Sequence, residues 1–183
     1  MRDDLLGLAP SEGRTFIVVS RLQHHTRRSQ VISQDIPGDQ AMHVGLDVNT
    51  FGTVGERFGA YVTGTAMDSD AKTHRDIAIH VLRINNLNTY AKVDRPAPGG
   101  VGLDYRINGV SRPLTVTHGR NDVGEPWVKA SRTSIGRFAG QMHFFYNGDM
   151  FEVLIYRGAL SDSTLHAVET GLAKKYGIPL GAK

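Results

Sequence analysis

Sugar recognition calls for an aromatic ring beside groups that can hydrogen-bond in fixed directions. One stretch of the sequence offers both. His118-Gly119-Arg120-Asn121-Asp122-Val123-Gly124-Glu125-Pro126-Trp127 carries the single tryptophan, preceded by a guanidinium, an amide and a carboxylate. Arg120, Asn121, Asp122 and Trp127 are therefore the candidate ligand-binding residues. The competing arrangement has Trp127 opening a strand and packing inward, with the preceding loop merely solvated.

Catalysis has less to work with. A retaining glycosidase needs two carboxylates roughly 5 Å apart, which a strand supplies most simply at positions i, i+2 and i+4 of one face. No Glu-x-Asp-x-Glu run occurs. Glu152 is expected between Met150 and Leu154 on its own face, and Asp47 and Asp149 lack a carboxylate two residues away. Asp68 and Asp70 have the spacing, but they fall in a Ser/Asp/Lys segment that reads as a loop. A Gly-x-Ser-x-Gly elbow is missing, and with no cysteine there is neither a thiolate nucleophile nor a thiolate metal site. His24 and His25 are adjacent, so a strand would send them to opposite faces; His80 sits in an apolar run and reads as a hydrogen-bonded interior residue. Asp68, Asp70 and Asp122 match no calcium-loop spacing. The expectation is no catalytic residue, no metal and no cofactor.

Composition narrows the partners. A net charge of +3 without a dense basic stripe argues against nucleic acid; the densest basic stretch is His24-His25-Thr26-Arg27-Arg28. No apolar run approaches the length of a membrane span, and the acidic start Met1-Arg2-Asp3-Asp4-Leu5-Leu6 does not look like a secretion signal. The expectation is that the protein is made and kept in the cytoplasm, or leaves it by a route that needs no signal.

The elements that would hold these residues are mostly strands. Thr15–Val19, Val31-Ile32, His43–Val48, Phe58–Val62 and Asp76–Ile84 are β-branched, aromatic or alternating runs, the last placed centrally. Leu103–Val110 forms a hairpin about Asn108-Gly109, since Asn-Gly accepts the two positive φ angles of a type I′ turn. Ser134–Phe138, Met142–Tyr146 and Met150–Tyr156 continue the pattern, and the last has apolar groups on both faces. Only the end is helical, near 162–176. Ser161 caps it, Leu165, Val168 and Leu172 share a face, Lys174 and Lys175 fill the last turn, and Gly177 and Pro179 stop it. The 183 residues suit one domain, an all-β, two-sheet antiparallel jelly-roll sandwich with a short C-terminal helix.

The run from Gly148 through Tyr156-Arg157-Gly158-Ala159-Leu160-Ser161-Asp162, followed by a helix and Lys175-Tyr176-Gly177-Ile178, resembles the closing segment of concanavalin A-like lectin/glucanase domains of bacterial and phage type. Ser134-Ile135-Gly136 resembles the strand before it. Tyr105-Arg106-Ile107-Asn108-Gly109 resembles a laminin-G-like hairpin, and Arg14–Val19 an early core strand. The resemblance implies a non-catalytic binding or structural module. The first expectation is a phage virion accessory protein, for capsid decoration or tail, docked on a protein assembly. The alternative is a lectin-like module that binds surface glycan, and a glycan-cleaving enzyme comes last. Family domains open with a further strand, for which only Arg2–Ala9 is at hand. The last strand, with Met150, Glu152, Leu154 and Tyr156, is therefore expected to be an interaction edge, covered by Asp4–Leu8 or by a neighbouring chain in a virion or homo-oligomer.

Overall fold

A computed structural model describes residues 13–23, 29–36, 39–48, 57–62, 65–72, 75–85, 103–118, 132–137 and 145–181. Among them lie β1 (Arg14–Leu22), β2 (Ser29–Ile36), β3 (Asp39–Val48), β4 (Arg57–Val62), β5 (Thr65–Lys72), β6 (Ala78–Ile84), β7 (Leu103–Ile107), β8 (Val110–Arg112), β9 (Leu114–His118), β10 (Arg132–Ile135), β11 (Gly148–Arg157) and helix α1 (Asp162–Tyr176). The strands form a five-stranded sheet, β11-β1-β6-β7-β8, and a six-stranded sheet, β10-β2-β3-β4-β5-β9. Every pairing is antiparallel. The architecture is the expected sandwich, with β6 central in its sheet.

Period-two alternation builds the core. Phe16, Val18, Leu82, Ile84, Tyr105 and Ile107 of one sheet meet Ile32, Leu46, Val48, Phe58, Ala60 and Leu114 of the other, all buried. His80 joins them at 1% exposure. Its Nδ1 lies 3.2 Å from the Tyr105 hydroxyl and its ring centroid 4.0 Å from that of Phe58. This is the interior histidine expected from its apolar run. Burial also holds the Tyr105 phenol well above its ordinary pKa.

The opposite face of the five-stranded sheet is apolar too, because α1 covers it. Ile17, Val19, Ile79 and Val81 pack beneath Leu165, Leu172, Ala173 and Ile178. The helix begins and ends as its sequence dictates. The Ser161 hydroxyl accepts from the Thr164 amide, and Gly177 takes φ 67° while the Ile178 amide donates to the Ala173 carbonyl. The β7–β8 turn is equally local in origin, with φ 49° at Asn108 and 81° at Gly109.

Several expectations need correction. The Asp68/Asp70 segment is no loop but strand β5, held between β4 and β9. Val31-Ile32 is the middle of an eight-residue strand, and β3 starts at Asp39 rather than His43. Along β11 the register slips, with Val19 opposite Glu152 and Ser20 opposite Met150, so Phe151 is an inserted residue. The bulge moves Met150 away from the face of Glu152 and Leu154, and into the core with Val153 and Ile155. Leu154 and Tyr156 pack under the helix, so both faces of this strand are covered, as expected. Asp4–Leu8, and residues 142–144 of the expected Met142–Tyr146 strand, lie outside the described residues.

One polar link crosses the sandwich interior. Arg14 of β1, 0% exposed, donates from Nη1 to Gln34 Oε1 of β2 at 2.5 Å. Gln34 Nε2 in turn donates to Thr133 Oγ1 of β10 at 3.2 Å.

Candidate functional site

The two outer faces of the sandwich differ in the described elements stacked on them. On the five-stranded sheet the space beside α1 is closed by ion pairs as well as apolar contacts. Arg83 donates to the Leu160 carbonyl at 2.9 Å, to Asp162 at 2.6 Å and to Asp104 at 2.9 Å. Arg106 reaches the Gly109 carbonyl at 2.8 Å and Glu169 at 3.0 Å. Glu169 is 0% exposed, and burial raises its pKa in spite of the Arg106 charge beside it. These groups fasten the helix to the sheet.

The six-stranded sheet differs: no described helix or strand is stacked on its outer face. Since Ile32, Leu46, Ala60 and Leu114 face the core, alternation places their neighbours on the outer face. Register then aligns these residues in rows across the strands. One row runs Gln30, Asp47, Gly59, Asp68, Thr115. A second runs Ser134, Ser33, Gly45, Tyr61, Ala66, His118. Further along lie Arg132, Asp35 and His43. By register the rows are polar, but Gln30, Ser33, Ser134, Gly45 and Gly59 are buried and Thr115 of the edge strand β9 is exposed.

Gly45 is a steric requirement. A β-bulge between Gln30 and Ile32 brings β2 close, and a Cβ at position 45 would lie 2.0 Å from the Ile32 carbonyl oxygen. Nearby, Ser33 is buried, and its hydroxyl donates to the Arg137 carbonyl at 3.4 Å. Gly59 separates Asp47 from Asp68 by one strand on each side, which sets those two residues roughly 10 Å apart along the sheet. Sequence reasoning missed this face. The signal lay in the polar halves of the alternating β3 and β4 runs, where glycine recurs at 45 and 59.

The residues singled out from sequence fare differently. Arg120, Asn121, Asp122 and Trp127 lie outside the described residues. The segment that carries them, 119–131, joins the end of β9 to the start of β10, opposite edges of the six-stranded sheet. Met150, Glu152, Leu154 and Tyr156 are on β11, an edge strand whose described strand partner is β1 alone. Their side chains are engaged inward or with the helix. Glu152 Oε2 accepts from Lys175 at 2.8 Å and from the Tyr176 hydroxyl at 2.9 Å. Those two bonds, Lys175 first, hold its carboxyl below the ordinary range. Among the described residues, no strand pairs with the other edge of β11.

A shallow cleft of about 340 Å³ lies elsewhere, between the C-terminus of α1 and the β7–β8 turn, lined by Asp76, Asn108, Tyr176 and Ile178 among others. Its polar groups are partly engaged already, since Asn108 Oδ1 accepts from the Ile79 amide at 2.8 Å.

No protein-family model and no curated protein sequence matches the chain. Solved structures do. The CBM40 domain of Ruminococcus gnavus IT-sialidase, bound to α2,3 sialyllactose, aligns with a TM-score of 0.56 at 17% identity, over 88% of this chain and 83% of its own. The same domain bound to α2,6 sialyllactose gives 0.55 at 16%, over 88% and 84%. Trypanosoma rangeli sialidase gives 0.57 at 13%, over 94% of this chain but only 24% of the enzyme, so the chain spans about a quarter of that protein's length. At these identities the likeness establishes the architecture: an antiparallel β-sandwich shared with a sialidase's carbohydrate-binding domain.

Proposed function

We propose that this chain is a non-catalytic, lectin-like module that binds glycan on the outer face of its six-stranded sheet. The observation that carries the reading is that, with α1 packed on the five-stranded sheet, no described helix or strand is stacked on the outer face of the six-stranded one. Exposed Thr115 marks the β9 end of the rows as the part open to a ligand, because Gln30, Ser33, Ser134, Gly45 and Gly59 are buried. The fold shared with CBM40 domains bound to sialyllactose supports the glycan reading over the virion-accessory role. The tethering of segment 119–131 at both edges of this sheet supports keeping Arg120, Asn121, Asp122 and Trp127 as proposed contacts.

A glycan array followed by calorimetric titration tests the proposal. Binding should appear and should weaken at least about tenfold, roughly 1.4 kcal/mol, in Tyr61→Ala or Trp127→Ala with the fold intact. Absence of binding to every glycan refutes the reading. Release of reducing sugar from the same panel refutes its non-catalytic part.

A protein-assembly role keeps one observation in its favour, the edge position of β11. Sedimentation of the full chain as an oligomer would advance it; a monomer at all accessible concentrations would remove the homo-oligomer form.

A further inference from the structure

The cleft of about 340 Å³ at the end of α1 is built from parts already fixed in place. Asn108 is held there three ways. Its amide donates to the Ile79 carbonyl at 2.9 Å, its carbonyl accepts from the Gly181 amide at 2.9 Å, and its Oδ1 accepts from the Ile79 amide at 2.8 Å. With Oδ1 taken, the part of the side chain left to a ligand is the Nδ2 donor. On the helix side, Gly177 turns at φ 67° and the Ile178 amide folds back to the Ala173 carbonyl at 2.9 Å. Pro179 has no amide hydrogen, so it cannot cap the helix carbonyls that end here. The Tyr176 hydroxyl is engaged by Glu152 Oε2 at 2.9 Å. What Tyr176 has left for the cleft is its ring and its backbone carbonyl, and both attract a cation.

The one charged residue lining the cleft is Asp76. It is exposed, and among the described residues its carboxylate has no ion-pair or hydrogen-bond partner. The cations nearest in the chain are not part of the lining: Arg75 and Lys174 are exposed, and Lys175 is drawn to Glu152 at 2.8 Å. The carboxylate and the negative end of the helix dipole therefore act in the same direction. Ile77, Ile178 and Pro179 add apolar surface for a short hydrocarbon body. An anion would be repelled by the carboxylate and by the helix end, and a neutral sugar would gain little from either charge. We infer that this cleft is a second binding site, for a small amino alcohol. Its ammonium is held by Asp76 and the helix carbonyls, and its oxygen accepts from Asn108 Nδ2. The site is separate from the sheet face and stands whether or not that face binds glycan.

An NMR titration of the full chain tests the site, following the backbone amides of Asp76, Ile77, Asn108, Gly177 and Ile178. Ethanolamine, cationic at neutral pH, should shift these amides saturably. Ethylene glycol, of the same size but uncharged, should bind at least about tenfold more weakly. Added salt should weaken the ethanolamine response as the attraction is screened. Asp76→Asn removes the charge at an exposed position with no described partner, so the melting temperature should be unchanged while ethanolamine affinity falls at least about tenfold. Equal responses to the two probes, or an Asp76→Asn protein that binds as tightly as the parent, overturn the cationic assignment. Lactose shifting these amides where ethanolamine does not would give the cleft to neutral sugar and overturn it equally, with the sheet-face reading left standing. The absence of any saturable shift up to tens of millimolar of each probe removes the site.

Discussion

Replacing Gly45 by alanine tests the geometry of the candidate face directly. The added Cβ would stand 2.0 Å from the Ile32 carbonyl oxygen and 3.0 Å from both the Ile32 carbonyl carbon and the Ser33 Cα. A carbon needs roughly 3.3 Å or more from such an oxygen, so β3 must move away from β2 by more than about 1 Å. The atoms in the way belong to backbone, which cannot swing aside as a long side chain would. Losing two or three ladder bonds at about 1 kcal/mol each, with some angle strain, predicts a destabilisation of about 3 kcal/mol. For a chain of this size that lowers the melting temperature by roughly 6–12 °C. Gly171→Ala supplies the opposite sign within the same scaffold. That glycine is exposed inside α1 with nothing within 4 Å of an added Cβ, so alanine should stabilise by about 0.5–1 kcal/mol. Thermal melts of both variants beside the parent decide the matter. A Gly45→Ala protein that melts within about 2 °C of the parent would show that β2 does not press on β3 there, and the row assignments of the face would lose their footing.

Other outcomes follow from the helix and its buried ions. Leu165→Ala should cost about 2–5 kcal/mol in chemical denaturation, because the side chain is fully enclosed between α1 and the sheet; an unchanged midpoint would mean that the helix does not dock. Glu169 has a folded pKa raised by burial, so its contribution is fully present below the ordinary value of 4.5 and is lost as pH rises through the folded value. Glu169→Gln should therefore flatten the decline in stability above pH 4.5, and an undiminished decline in the variant would refute the assignment. Glu152 has the reverse sign: its pKa is lowered by Lys175 and Tyr176, so its contribution is present above 4.5 and disappears as pH falls through the folded value. Lys175→Ala should raise the pKa of the Glu152 carboxyl in an NMR titration, and no movement would break that pairing. Deleting residues 1–9 should leave the full-length fold but promote aggregation if that segment covers β11; a deletion that stays monomeric and equally stable would exclude it as the cover.

Local chemistry made some of this structure legible in advance. The Asn108-Gly109 turn and the Ser161 and Gly177 caps depend on residues a few positions apart, and each formed where its residues required. Strand β5 was not legible because Thr65-Ala66-Met67-Asp68-Ser69-Asp70 has little β propensity of its own. Its ladders to β4 and β9 on either side supply what propensity lacks, and Ser69 is kept inside by donating to the Phe58 carbonyl at 2.6 Å. Glu169 sits beside Val168 on a helix with an apolar stripe, and nothing nearby in the chain announces Arg106 as its partner. The polar rows were hidden for the same reason. Asp47, Gly59 and Asp68 become neighbours only once three strands are in register, and the Phe151 bulge likewise exists only relative to β1.

The buried Arg14 has a consequence for how the two layers are aligned. Apolar faces grip one another without preferred direction, so two sheets joined by hydrocarbon alone can shear or swivel through a range of angles at small cost. A guanidinium inside that interface behaves like a key in a slot. Arg14 reaches Gln34, and Gln34 reaches Thr133, only when β1 lies over the β2–β10 side of the opposite sheet at one offset. Sliding by a single residue would strand a charge in the interior, at a penalty of several kcal/mol. The sandwich therefore has a fixed yaw as well as a fixed thickness. The outer face of the six-stranded sheet is aimed, relative to the helix-bearing side, by three polar side chains at the opposite depth of the molecule.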